Sequence, residues 1–345
     1  MDKKKEQARR ESIVLQGPIG VGKSLIAEQL SKDTGLPHIW ADSFRECPKS
    51  LEEIEYQLSL IKAQKEKYER ALDIDDKVNN IRPQIESCKE KILGKQQENK
   101  LGIFPTAKPN AFRIKQFKSQ IDQCNKKIWK YENFKFHREM FPDLPNYEMM
   151  GFDPKTAQFL LDAYGSMAWH MYHKQYENML LEEIVKRLDF PCILDLGGGM
   201  ACCPEEEYGR VLENIRASNN RYMSNWRMQT MFNFDKIHFD IIQNALKDFD
   251  TVISLLPSSD GICSEKFVNE KDLNDVFIKS GDFDKTATMK VDTSGIFHEN
   301  AMLDPRKIKE LSSQIIEAKH CKANYGENII FVKDKQSSLD DELSM

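Results

Sequence analysis

The sequence lacks several features that define whole classes of protein. No stretch of its 345 residues approaches the ~18 consecutive apolar residues that a membrane-spanning helix requires. The eight cysteines form no C-x-x-C pair and no Cys/His metal spacing, because the closest two, Cys202 and Cys203, are adjacent. Residues 1–11 are charged and lack the apolar run of a signal peptide. We therefore expect a cytoplasmic protein with reduced thiols and no membrane partner.

A basic excess is also missing. The net charge is −5 and the pI is near 5.9, whereas nucleic-acid-binding domains are typically basic. A nucleic acid is therefore not the expected partner. The length predicts two or three structural units, at roughly 100–200 residues per domain.

The first structured segment reads as a strand, a glycine-rich loop and a helix. Ser12–Gln16 is a short apolar run, and Lys23–Thr34 has helical apolar spacing that stops at Gly35. Further short strands are predicted at His38–Ala41, Pro191–Leu196, Thr251–Leu256, Thr288–Asp292 and Ile329–Val332. This alternation predicts an α/β protein, a three-layer P-loop NTPase fold with a parallel sheet of about five strands.

The composition changes at residue 50. Residues 50–134 are rich in Lys, Glu, Gln and Asn, and their apolar residues recur three, four or seven positions apart. This spacing predicts a coiled-coil-like arm of two long antiparallel helices, which could contact a protein partner or a second copy. We predict a charged tail at residues 1–11 and a kinase-like core at 12–49 and 151–332. The arm would be an insertion at 50–150, and residues 333–345 would be a disordered tail.

The glycine-rich loop matches the phosphate-loop pattern G-x-x-x-x-G-K-[ST] without a mismatch. Glycines allow the backbone to turn its N–H groups toward phosphate oxygens, and the following helix adds the positive end of its dipole. The lysine can reach the β- and γ-phosphates, and the serine hydroxyl can ligate Mg²⁺. We therefore expect ATP and Mg²⁺ to be bound by Gly17, Pro18, Ile19, Gly20, Val21, Gly22, Lys23, Ser24 and the adjoining Leu25.

A second ligand for the metal is expected at the end of a neighbouring buried strand. Asp195 follows Ile193 and Leu194 and fits this description. Together with Ser24 it forms the predicted metal site. The alternative is that Asp195 only caps the turn into Gly197–Gly199.

The order of these motifs resembles shikimate kinase and its gluconate-kinase-like relatives. After the phosphate loop, Gly35-Leu36-Pro37 leads into a strand followed by an acid, and a later strand ends in Gly197-Gly198-Gly199. Val291-Asp292-Thr293 is similar to the short late strand near the adenine in that family. The resemblance covers about half of the chain: residues 12–47, 165–204 and 250–318.

The resemblance implies roles for individual residues. Asp292 would lie near the adenine. Asp42 matches the second acid of the family's D-x-D, which binds substrate hydroxyls and takes the proton of the attacking hydroxyl. Lys174 and Glu177 match an Arg-x-x-Glu whose arginine grips a substrate carboxylate, which implies a small, anionic metabolite as substrate. The backbone would approach that substrate at Gly197, Gly198 and Gly199.

The chain also departs from the family pattern. Trp40 replaces the first acid of D-x-D, and Lys174 offers one point charge where arginine offers a bidentate fork. Between Leu256 and Thr288 there is no arginine for a lid over the nucleotide, and the cations in that stretch include Lys266, Lys271 and Lys279. Shikimate itself is therefore not the expected substrate.

Other residues are weaker candidates. Arg45 could meet a substrate anion. His170 and His173, three apart on a predicted helix, could face the substrate, or could be partly buried structural histidines. The missing lid cation could come from one of four arginines in the 205–230 region: Arg210, Arg216, Arg221 and Arg227. The alternative is that these arginines lie on solvated helix faces.

Three functions follow as hypotheses. The first is an ATP-dependent small-molecule kinase in which Lys23, Asp42 and Lys174 are catalytic. The second is a nucleotide-binding regulator or pseudokinase whose arm contacts a protein. The third is a kinase whose arm recognises a macromolecule or a nucleotide-sugar.

Overall fold

The chain divides into two units, one formed by Met1–Glu46 with Asp143–Met345 and the other by Cys47–Pro142. The computed structural model describes residues 3–93, 111–218, 225–257, 270–293, 296, 304–325 and 331–332. The predicted disordered tail, residues 333–345, lies outside the described residues.

A single parallel sheet organises the first unit. Its strands, β1 to β6, are Ile13–Gln16, His38–Trp40, Ile193–Asp195, Val252–Leu256, Met289–Asp292 and Phe331–Val332. Their order across the sheet is β2-β3-β1-β4-β5-β6, and each neighbouring pair is parallel. The predicted α/β fold with a parallel sheet of about five strands is confirmed, and the two-residue β6 extends one edge.

Helices make up most of the remaining described chain. Helices α1 to α12 are Lys3–Glu11, Lys23–Thr34, Leu51–Leu93, Ala111–Met140, Pro154–Tyr164, Ser166–Arg187, Glu205–Ala217, Asn225–Met231, Phe239–Leu246, Lys271–Ser280, Asp282–Thr286 and Pro305–Tyr325. Short 3₁₀ helices follow at Ala41–Arg45 and Phe234–Lys236. Among the described helices, none has the length and apolarity needed to cross a bilayer.

Helices cover both faces of the sheet. Ile13, Leu15 and Ile193 pack in one core with residues of α2 and α12. The opposite face carries Gln16, because side chains alternate along a strand. Its amide donates to the carbonyl of Phe283 on α11 at 2.7 Å, and Thr286 Oγ1 donates to Gln16 Oε1 at 3.0 Å. The sheet is thus sandwiched between two helical layers.

The strand order creates a switch point between β1 and β4. From β1 the chain passes over β3 to reach β2, whereas from β4 it continues away from them to β5. Connections that leave two adjacent strands in opposite directions open a crevice at their carboxyl ends, and α/β proteins bind ligands there. The glycine-rich loop follows β1 at this crevice.

The second unit contains the predicted pair of antiparallel helices, α3 and α4. Ion pairs link Glu55 to Lys135 and Asp75 to Arg113. Residues early in α3 therefore pair with residues late in α4, and the two helices run in opposite directions. Cys47, Ile54 and Phe134 form a buried apolar cluster within the unit. The antiparallel arrangement of this hairpin is confirmed.

The hairpin unit ends at Pro142 rather than at the predicted residue 150. The following segment belongs to the sheet unit because its apolar residues are buried there. Tyr147 contacts the rings of Phe152 and Tyr176, with centroids 5.5 and 5.6 Å apart. The predicted end of the arm at residue 150 therefore lies too far along the chain, and α4 itself ends at Met140.

The sheet unit should fold without the hairpin. We expect a variant in which a short Gly/Ser linker replaces residues 47–142 to unfold cooperatively on heating. The flanking chain is already close, since Arg45 Nε donates to Tyr147 Oη at 3.1 Å. Circular dichroism should show reduced helical signal with a retained transition. A variant without a cooperative transition, while the full chain has one, would contradict the division into two units.

Candidate functional site

The glycine-rich loop between β1 and α2 has a conformation that its first glycine makes possible. Gly17 has φ of +144°, which side-chain-bearing residues rarely adopt. A Cβ at this position would also lie 2.6 Å from the carbonyl oxygen of Leu255 on β4. The loop therefore starts in direct contact with the neighbouring strand at the switch point.

Lys23 turns its ammonium group into the loop. The residue is only 7% exposed, and Nζ donates to the carbonyl oxygens of Gly17 and Pro18 at 2.9 and 2.7 Å. Ser24 and Leu25, the next residues of α2, are exposed. The positive charge is therefore enclosed by the same backbone that precedes the helix N-terminus.

Asp195 ends β3 on the face of the sheet that α2 covers. It shares this face with Ile193, two residues earlier. Its carboxylate is buried, and neither oxygen accepts a hydrogen bond from any residue that the structure describes. His38 Nε2 lies 3.5 Å from Oδ2. A buried carboxylate without donors is costly unless a ligand or ion satisfies it.

Carboxylate and hydroxyl oxygens, such as those of Asp195 and Ser24, are the kind of ligand that Mg²⁺ takes. Mg²⁺ takes oxygen ligands and in nucleotide sites uses one or two protein groups together with substrate phosphates. Asp195 and the Ser24 hydroxyl would be those groups. The described residues include no cluster of three or more His, Cys, Asp or Glu that could hold a metal ion. Protein side chains of these types alone therefore do not form a complete metal site in that part of the chain.

Gly197–Gly199 allow three other segments to approach the end of β3. A Cβ at Gly197 would overlap the carboxylate of Asp42, and one at Gly198 would overlap the side chain of Ile19 in the glycine-rich loop. A Cβ at Gly199 would lie 2.7 Å from the ring of Phe277 on α10. The sequence predicted that these glycines admit a substrate. In the structure, side chains of the protein lie against all three glycines, and their contact with a substrate stays a prediction.

Asp42 lies in the 3₁₀ helix after β2, and its side chain is 26% exposed. Burial raises the pKa of its carboxyl group above the usual value, and the Arg45 guanidinium, with Nη1 3.5 Å from Oδ1, partly offsets this. The carboxylates of Glu177 and Asp195 raise the pKa further. Asp42 is therefore a more basic carboxylate than an exposed aspartate.

Arg45 is held by groups of the protein. Its Nη2 donates to Glu177 Oε1 at 2.6 Å and its Nε to Tyr147 Oη at 3.1 Å. Glu177 is buried, and its burial alone would raise the pKa of its carboxyl group. The cations Lys174 and Arg45 outweigh that effect and lower the pKa to about 2.

Lys174 does not take the role that the resemblance implied. Its side chain is 0% exposed, and Nζ donates to Glu177 Oε2, Gly199 O and Met200 O at 3.2, 3.0 and 2.6 Å. An ammonium group has three donors, and all three are used within the protein. The prediction that Lys174 grips a substrate carboxylate is therefore corrected: it ties α6 to the glycine turn after β3.

His170 and His173 are structural in this arrangement. His170 Nδ1 lies 2.7 Å from Tyr208 Oη, and burial lowers the pKa of its imidazole to about 3. His173 Nδ1 lies 3.0 Å from the carbonyl oxygen of Trp169, and burial lowers its pKa to about 4. Both side chains are buried, which agrees with the alternative that they are structural histidines.

The remaining candidates are dispersed. Asp292 ends β5 at the same carboxyl edge, where it pairs with Leu256. Arg210 pairs with Glu207 on α7, and Arg216 is exposed on the same helix. Arg227 is exposed on α8, Lys271 and Lys279 are exposed on α10, and Arg221 and Lys266 lie outside the described residues.

Asn274, which contacts the glycine-rich loop, is a residue that the sequence did not point to. It lies on α10, accepts from the N–H of Ile19 at 2.8 Å and donates to the carbonyl of Ile19 at 3.1 Å. The sequence offered one signal: a polar residue next to Leu273 and Phe277, which are four positions apart on the buried side of a helix.

Two cavities in the sheet unit lie apart from the loop. One of about 590 Å³ is lined by Gln175, Tyr176 and Phe232 among others, and one of about 510 Å³ by residues that include Glu205 and Lys279. No phosphate-loop residue lines either of them. The candidate site is therefore defined by its chemistry rather than by cavity size.

Comparison of the chain with protein-family models found no match, and comparisons with curated proteins and with solved structures found none either.

Neutral His170 makes stability depend on pH. The unfolded chain binds a proton at His170 below about pH 6.5, whereas the folded chain binds it only below about pH 3. The free energy of unfolding should therefore fall as the pH drops through this window. In His170→Asn, we expect the slope between about pH 6 and pH 5 to decrease by nearly one proton. Chemical denaturation at several pH values measures it.

Tyr208→Phe is the matched control. It removes the hydroxyl that contacts His170 Nδ1 but keeps the ring buried, and burial is the main cause of the lowered pKa. This variant should lose stability and keep the wild-type slope. Equal slopes for His170→Asn and the wild type would contradict a neutral buried imidazole.

Proposed function

We propose that this chain binds ATP with Mg²⁺ and transfers the γ-phosphoryl group to a hydroxyl group of a small molecule. The observation that carries the proposal is the loop Gly17–Ser24, which encloses the Lys23 ammonium at the switch point of a parallel sheet. A loop that ends in a helix N-terminus and encloses a cation has the chemistry that polyphosphate requires.

Phosphate oxygens can replace the two carbonyl oxygens that now accept from Lys23. In the bound state Lys23 would stabilise charge on the β- and γ-phosphates, aided by the N-terminal N–H groups of α2. Ser24 and Asp195 would hold Mg²⁺, which supplies charge neutralisation on the phosphates. Binding would satisfy the Asp195 oxygens, which accept no hydrogen bond from the described residues.

Asp42 is the proposed base. It lies against Gly197 at the carboxyl edge, and its raised pKa makes it a better proton acceptor than an exposed aspartate. It would take the proton of the acceptor hydroxyl while the oxygen bonds to the γ-phosphorus and the bond from that phosphorus to the β-phosphate oxygen breaks. Arg45, 3.5 Å away, orients Asp42 and restrains its pKa.

The charges on this side of the site argue against a required anionic group in the acceptor. The resemblance implied that Lys174 binds such a group, and Arg45 was a second candidate for binding it. Both cations contact Glu177, and Arg45 also faces Asp42. We therefore propose a hydroxylated acceptor that these two residues do not grip. The shikimate-kinase-like features in this proposal are then the phosphate-binding residues Gly17–Ser24 and the base Asp42, and do not include the carboxylate-binding cation.

A nucleotide-dependent regulator is the second candidate. The separate helical unit Cys47–Pro142 favours it, because such a hairpin can serve as a docking element that responds to nucleotide. A regulator would bind ATP without consuming it. Turnover therefore separates the two functions.

The test combines ATP binding with an acceptor screen. Purified protein with ATP and Mg²⁺ is given neutral and anionic hydroxylated metabolites, and ADP release is followed. Lys23→Met should weaken ATP binding and abolish turnover, because it removes the phosphate cation. Asp42→Asn should keep ATP affinity within about threefold and lower turnover by about 10²–10⁴-fold, the usual contribution of a general base.

Asp122→Asn is the matched control. It makes the same change on the exposed face of α4, where Asp122 pairs with Lys126. It should leave binding and turnover unchanged. ATP binding without turnover of any acceptor would favour the regulator, and unchanged turnover in Asp42→Asn would refute Asp42 as base.

A further inference from the structure

We propose that Asn274 is a positioning residue that holds the phosphate loop in the shape that binds polyphosphate. The inference rests on the proposed nucleotide binding and adds a residue from a distant part of the chain. Asn274 belongs to α10, between β4 and β5, whereas the loop follows β1.

The contact is a two-point grip on one peptide residue. Asn274 Oδ1 accepts from the N–H of Ile19 at 2.8 Å, and Asn274 Nδ2 donates to the carbonyl of Ile19 at 3.1 Å. The Asn274 side chain is 0% exposed. Leu273 and Phe277 are buried beside it on α10 and fix the direction of this face.

An asparagine is chemically suited to this position. A carboxamide offers one acceptor and two donors close together, as a partner strand would offer to a peptide. Ile19 lies in the loop between β1 and α2, outside the described strands and helices, so its N–H and C=O need partners from elsewhere. An aspartate could accept from the N–H but would repel the carbonyl, and an alanine would satisfy neither group.

Ile19 also lies against Gly198. A Cβ at Gly198 would overlap its side chain, so the two segments are in close contact. The Asn274 side chain therefore holds the backbone of Ile19, and the backbone of Gly198 lies against the Ile19 side chain. Gly20, Gly22 and Lys23 follow directly, and their N–H groups are those expected to face phosphate. A loop that is already ordered loses less entropy when ligand binds.

Asn274→Ala and Asn274→Asp test this role, with ATP and inorganic tripolyphosphate as ligands in calorimetry. Asn274→Ala removes two hydrogen bonds and should lower the affinity for both ligands by on the order of tenfold or more. Asn274→Asp keeps the side-chain size but adds negative charge beside the loop, so it should weaken them further. Equal factors for both ligands would locate the effect at the phosphates.

Asn178→Ala is the matched control. Asn178 is also 0% exposed, and its Nδ2 donates to the carbonyl oxygens of Lys236 and His238 at 2.9 and 3.4 Å, not to the loop. This variant should lose comparable stability and retain wild-type affinity. Thermal unfolding of all variants checks that they are folded. If Asn274→Ala is not folded, the isosteric Asn274→Asp is used to test the role of Asn274 instead.

The outcomes separate the inference from the proposed function. Wild-type affinity in both Asn274 variants would overturn the inference and leave nucleotide binding intact. An equal loss in Asn178→Ala would also overturn it, because the effect would then be one of general stability. If the wild-type protein binds neither ligand, the proposed function fails and this inference fails with it.

Discussion

Close packing around Gly197–Gly199 is the constraint on which the candidate site depends. At this turn Asp42, Ile19 and Phe277 approach backbone that has no side chains. The three residues come from the segment after β2, the phosphate loop and α10, so the turn gathers elements that are far apart in sequence. A single added methyl group would push at least one of them away, and interiors packed at crystal-like density have little room to adjust.

Buried charge makes this arrangement specific and limits what it can bind. Glu177 lies between Arg45 and Lys174, and Lys174 in turn holds the carbonyl oxygens of Gly199 and Met200. Removing one member of a buried ion set is strongly destabilising because it leaves a partner uncompensated. These cations therefore belong to the scaffold. Lys23, Asp195 and Asp42 are among the groups at this edge to which the proposed function assigns a role.

Local patterns in the sequence predicted the strands, the hairpin and the position of the glycine-rich loop between β1 and α2, because each depends on neighbouring residues. Apolar runs and their alternation determine β1, β3 and β4, and a heptad-like repeat determines the hairpin. The environments of Lys174 and Asn274 could not be read in the same way. A lysine in a helix is normally exposed, and its burial here depends on Glu177 and on two carbonyl oxygens from another segment. Asn274 likewise acts on a loop that only the sheet topology brings near.

The central claim is that the backbone from Gly20 to Ser24 binds a polyphosphate. Nuclear magnetic resonance of protein selectively labelled with ¹⁵N at glycine and lysine tests it most directly. Addition of Mg²⁺ and ATP should shift the amide signals of Gly20, Gly22 and Lys23 in a saturable way, with smaller changes at Gly209 on α7. Unshifted signals from these three amides at saturating nucleotide would contradict the claim.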